Sequence, residues 1–85
     1  EEALLVYQSI QAAKKMVEEK GSSNVARVKA EVLNVLKQGR LLRVNYVDIV
    51  DRGTMRPEKE IAAGRSLLAV AVWVDQVRLI DNFCF

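Results

Sequence analysis

The sequence contains no histidine and a single cysteine, Cys84. Their scarcity removes two kinds of chemistry. A His/Cys zinc site needs several such ligands, and a nucleophile–histidine–acid triad needs its imidazole. One cysteine cannot close an internal disulfide, so nothing points to an oxidising compartment. Glycine is sparse too: residues 21, 39, 53 and 64 stand singly. None opens a phosphate-binding loop or a dinucleotide fingerprint. Every apolar run falls short of the ~20 residues that span a bilayer, which argues against a membrane partner. The net charge is only +2, with acids and bases interleaved as in Lys14-Lys15 followed by Glu18-Glu19. Such a balance reads as solvated helix surface and argues against nucleic acid as a partner. Internal repeats and low-complexity segments are missing as well. The opening Glu1-Glu2-Ala3 has no basic region before an apolar stretch. It reads as a position inside a longer chain, not as a signal peptide.

What is present suits one soluble globular domain over residues 1–85, with about half the residues apolar and a quarter charged. Val6, Ile10, Ala13 and Val17 recur at helical spacing and predict a helix over residues 1–20. Glu1 and Glu2 would oppose the positive end of its dipole, and Gly21 would end it. Ser22, Ser23 and Asn24 can cap a second helix that runs to about Gln38, with Gly39 after it. Its stripe is Val25, Val28, Val32 and Val35 or Leu36. These β-branched residues make it dependent on packing. A short polar link between two such helices predicts an antiparallel hairpin.

Beyond Gly39 the pattern turns to strands. Leu42–Val50 is rich in β-branched and aromatic residues. Asp51-Arg52-Gly53-Thr54 signals a turn. Residues 55–64 hold Pro57 and read as an irregular connection with room for one helical turn. Leu67–Val74 is apolar throughout and suits a central strand. Asp75-Gln76 fits a two-residue hairpin turn. Val77–Asn82 is then the last strand, with Val77 and Leu79 on one face and Arg78 and Ile80 on the other. The order ααβββ predicts an α+β fold, a helical hairpin on one face of a small three-stranded antiparallel sheet. One helical layer leaves the second face of the sheet bare. An apolar patch there would be covered by a neighbouring domain, by Met55, Pro57 and Ile61 folding back, or by a second copy in a homodimer.

Two segments carry a resemblance. Tyr46-Val47-Asp48-Ile49-Val50-Asp51, with Thr54-Met55 and Pro57 after it, is one. Leu68-Ala69-Val70-Ala71-Val72-Trp73 with Val77-Arg78-Leu79-Ile80-Asp81-Asn82 is the other. In content, order and spacing they resemble the C-terminal domain of the pantothenate synthetase (pantoate–β-alanine ligase) family. The resemblance covers roughly the C-terminal half of the chain, and the helices agree in pattern only. Departures are Asn45, where the family usually has Asp, and Asp75-Gln76, where its last hairpin usually has Gly.

The resemblance implies a parent enzyme that uses ATP and magnesium. It adenylates pantoate, releases pyrophosphate, and lets β-alanine displace AMP. It also implies a cytoplasmic location and an N-terminal catalytic domain as partner. That domain would hold the family's His-x-Gly-His and Ser-Ser-Arg-Asn motifs. The first is missing here, and Ser22-Ser23-Asn24 lacks the Arg and lies after the first helix. No catalytic, cofactor-binding or metal residue is therefore carried over, and the chain itself is expected to be inactive. A lid role remains, because acyl-adenylates must be kept from water. Arg78, Asp81 and Asn82 then either meet the catalytic domain or hinge, or tie down the last strand through local hydrogen bonds or an ion pair. Trp73 reads as packing. Cys84, with no basic neighbour in sequence, reads as inert. The rival readings are a stand-alone dimerising interaction module and the ligase part of a bifunctional ligase/cytidylate kinase. An RNA-binding ααβββ module fits less well, since aromatics and net positive charge are few.

Overall fold

A computed structural model describes residues 3–85. Helix α1 spans Ala3–Glu18 and helix α2 spans Val25–Leu36. Strands β1 (Leu42–Asp51), β2 (Ser66–Val74) and β3 (Val77–Cys84) follow. The sheet order is β1-β2-β3 with both pairs antiparallel. The α+β architecture is thus the expected one. The capping role expected of Glu1 and Glu2 lies outside the described residues.

Each helix buries one stripe. Val6, Ser9, Ile10 and Ala13 of α1 are buried, as are Val25, Val28, Val32 and Leu36 of α2. The apolar ones meet Val47 and Ile49 of β1 and Leu68, Val70 and Val72 of β2 in one cluster. The hydroxyl of buried Ser9 donates to the Val6 carbonyl at 2.7 Å, so its polarity is satisfied within the helix. Gly21 takes φ 65° after α1, and Ser22 N–H returns to the Met16 carbonyl. Asn24 caps α2: its side chain accepts from Arg27 N–H at 3.0 Å. Both helices end sooner than expected, at Glu18 and Leu36. Helix α2 stops at Leu36, and Gly39 ends nothing by a left-handed turn. Lys37, with φ −64°, is its C-cap, and Gly39 N–H donates to Leu36 C=O.

The strands hold two departures from simple alternation. In β1, Val44 pairs with Val72 but Tyr46 pairs with Ala71, so Asn45 is an extra, bulged residue. Counting back by twos from Val47 would turn Arg43 inward and Leu42 outward. The bulge reverses this, and Leu42 packs against the core. Strand β3 runs two residues past Asn82, and Phe83 and Phe85 reach the core edge in an edge-to-face pair. In the β2–β3 turn Asp75 takes φ 55°, a left-handed conformation that Asp adopts at modest cost.

Residues 52–65 correct one expectation. They form no helix beyond a single turn, in which Ser66 N–H donates to Ala62 C=O, but they do not cover the open face of the sheet. Instead the segment runs along the free edge of β1, where Arg56 C=O accepts from Asp51 N–H and Glu58 N–H donates to Ile49 C=O. Val25 N–H then donates to Lys59 C=O, and Ile61 N–H to Ser23 C=O. Ile61 packs on the helix side of the core, while Met55 is 62% exposed.

Candidate functional site

The side of the sheet away from the helices is built from four cross-strand rows. In β1–β2–β3 order they are Arg43–Trp73–Arg78, Tyr46–Ala71–Ile80, Asp48–Ala69–Asn82 and Val50–Leu67–Cys84. Side chains in such rows sit close enough to interact directly. Ala71 is fully buried although it lies on this open side, and Val50 is 8% exposed. Half-buried Tyr46 and exposed Ile80 flank Ala71 in its row. Small residues in the centre and larger ones at the flanks therefore leave less apolar surface than an all-large strand would. The bare patch expected on this face is correspondingly reduced.

The first row combines an indole with two guanidinium groups. Trp73 is half-buried and lies outside the core cluster, while Arg43 and Arg78 are exposed. Among the described residues neither arginine makes an ion pair. The two bridges found are Lys29–Asp48 at 3.5 Å and Arg65–Asp51 at 3.2 Å. Nothing in the sequence pattern joins Arg43 to Trp73, because the bulge at Asn45 alone sets that register.

Arg78, Asp81 and Asn82 do not converge. Arg78 and Asn82 point to the open side. Asp81 pairs with Val70 on the helix side and accepts from Asn82 N–H at 2.8 Å. Local tethering therefore accounts for Asp81, while Arg78 stays available to a partner. Cys84 has a basic neighbour after all. Arg52, far away in sequence, places its Nη1 3.9 Å from Cys84 Sγ. Sequence adjacency was the wrong test, since the sheet brings the two chain segments together.

A polar node closes the end of the sheet where β1 stops and β2 starts. Gly53 and Thr54 N–H donate to Asp51 Oδ1 at 2.8 and 3.0 Å, and Arg65 Nη2 donates to Oδ2. The backbone bonds from Thr54 and Gly53 hold the Asp51 carboxyl below its ordinary range. Partial burial opposes this, and Arg65 adds to it. A Cβ at Gly53 would come within 3.1 Å of that carboxylate, so glycine suits the turn. This node stiffens the 52–65 segment. Among the described residues no three His, Cys, Asp or Glu come together.

Comparison with known proteins gives one consistent result. The family described as pantoate-beta-alanine ligase matches residues 1–84. Pantothenate synthetase from Thermosipho melanesiensis is 40% identical over 81 residues, which is 95% of this chain and 28% of that protein. The enzyme of the same name from Clostridioides difficile is 36% identical over 83 residues, 98% of this chain and 29% of its own length. Among solved structures, pantothenate synthetase from Thermus thermophilus superposes with a TM-score of 0.81 at 28% identity. The match covers 93% of this chain and 28% of that one. The chain spans little more than a quarter of these relatives and corresponds to their C-terminal portion.

Proposed function

The chain belongs to the pantoate–β-alanine ligase family, and from that premise we propose that it is the C-terminal lid domain of a pantothenate synthetase. The observation that carries this reading is the match of nearly the whole chain to the last part of much longer relatives. In the proposed enzyme the pantoate carboxylate attacks the α-phosphorus of ATP and expels pyrophosphate. The amine of β-alanine then attacks the carbonyl carbon of the adenylate and expels AMP. The adenylate is the step that needs a cover, since water competes with the amine for the same carbonyl. Residues 1–85 form one domain that supplies this cover and no chemistry. We assign it no catalytic residue.

ATP and magnesium belong, on this reading, to the catalytic domain. The described residues do not fit either group, offering no carboxylate cluster for a metal and no glycine loop for a triphosphate. The natural setting on the same reading is the cytoplasm. A homodimer through the open sheet face is the second reading, favoured by Ile80, which is 58% exposed on that face. Two measurements test the assignment. AMP release from ATP, pantoate and β-alanine is expected from the full-length polypeptide and not from the 85-residue chain. Turnover by the short chain above a no-protein control would overturn it. Sedimentation equilibrium of the short chain over a hundredfold concentration range separates monomer from dimer.

A further inference from the structure

We propose that the end of the domain at which α1 begins seats the catalytic domain, with an apolar centre and with carboxylates of that domain on Arg43 and Arg78. This rests on the lid reading above and specifies its surface.

The two ends of the fold differ sharply. The turn between the helices lies toward the end where β1 stops, because residues 59–61, just past the pairing of Glu58 with Ile49, bond to both Ser23 and Val25. The opposite end therefore holds the first turns of α1, the last turn of α2, the start of β1 and the β2–β3 turn. Asp75 N–H donates to Leu41 C=O across that end, and Leu42 and Val77 both pair with Val74 there. Seven large apolar side chains are exposed among the described residues. Five of them, Leu4, Tyr7, Leu41, Val44 and Val77, belong to this one end. The row Arg43–Trp73–Arg78 borders it on the open side of the sheet.

Exposed apolar residues scattered singly need no explanation, but a gathering of them marks an interaction surface. Apolar side chains beside an aromatic ring and arginines are the composition of interface cores. Two guanidinium groups without an ion pair call for carboxylates on the partner, in charge-assisted bonds. The occupant follows from the topology. In the longer relatives this region is the C-terminal portion, so whatever precedes α1 is joined at this end. Such a tether keeps the partner at high effective concentration, and a modest interface suffices for a domain that must also lift.

Hydroxyl-radical footprinting of the 85-residue chain and of the full-length enzyme, read by mass spectrometry, tests the proposal. Tyr7 and Leu41 should be modified severalfold less in the full-length enzyme, while Met55 and Ile80 label equally in both. A Leu41→Asp/Val77→Asp variant should leave melting of the short chain within a few degrees and restore Tyr7 labelling in the full-length enzyme. Equal labelling of Tyr7 and Leu41 in both wild-type proteins, or protection of Ile80 in their place, overturns the proposal. AMP formation by the same full-length preparation keeps the two ideas apart. Activity without protection retains the lid and rejects this surface. Protection without activity retains the surface and rejects the ligase.

Discussion

The two sides of β2 are made from the same apolar run, yet they behave as different materials. Leu68, Val70 and Val72 are fully buried against the helices. Leu67, Ala69, Ala71 and Trp73 look the other way, and only Ala71 among them is fully buried. Both sides are apolar, but the residues in the middle differ in size. Large branched residues face the helical layer, where they fill space between elements. Alanines occupy the middle of the open side, where a large side chain would find no second layer. A strand that reads as covered on both faces thus needs only one covering layer. Its other face is closed in part by flanking residues of the neighbouring strands.

The sharpest test of this contrast is one charge on each side. Val70→Asp should abolish cooperative melting, since burying an unpaired carboxylate costs several kcal/mol against roughly 5 kcal/mol of total stability. Ala69→Lys should melt within a few degrees of wild type, because its ammonium reaches solvent beside Asp48, its β1 neighbour in the row. Thermal denaturation followed by circular dichroism reads both. If the two variants behave alike, the sides are not distinct.

Leu36→Ala probes how far the helical layer completes the inner side. Leu36 is fully buried, and the truncation should cost about 2–5 kcal/mol in urea unfolding. A loss below about 1 kcal/mol would mean that the layer is loose there. Ala71→Leu asks the converse of the open side. Ala71 sits between Tyr46 and Ile80 in its row, so added methylenes must displace them, at about 1–3 kcal/mol. A stabilised variant would show that the open side has room for a larger residue.

The smallest effect concerns the node beside both sides. The Asp51 carboxyl is held below its ordinary value by the Thr54 and Gly53 amides and by Arg65. Its folded-state pKa lies below the unfolded one, so its contribution is fully present above the unfolded value. That contribution is lost as pH falls through the folded one. Urea midpoints should therefore fall below about pH 4, and Asp51→Asn should flatten that limb while keeping an acceptor for both amides. An unchanged acid limb in the variant would assign the dependence to other carboxylates. Raised salt should matter little, since backbone bonds outrank the exposed Arg65 contact.

Several features were legible in the order of residues alone. Val6, Ile10 and Ala13 lie three or four residues apart, so one helix face announces itself locally. Gly21, Asn24 and Asp75 act where their backbone preferences place them. The Arg78–Asn82 segment marked the family, but its residues could not be sorted by role from sequence. Alternation alone puts Asp81 on the face opposite Arg78. Only the pairing shows Asp81 bonded to its own neighbour and Arg78 beside Trp73.

Element order, the α+β class, the central place of β2 and the family all follow from the sequence, because they rest on periodicity within short windows and on contiguous residues. Four other features exist only once the chain has folded: the Arg43–Trp73–Arg78 row, the approach of Arg52 to Cys84, the path of residues 52–65 along the β1 edge and the gathering of exposed apolar side chains at one end. Register separates the two groups. A strand repeats every two residues, so the single bulged Asn45 reverses the facing of every residue before it. Whether a bulge forms depends on pairing with a strand some thirty residues away, which no local window contains.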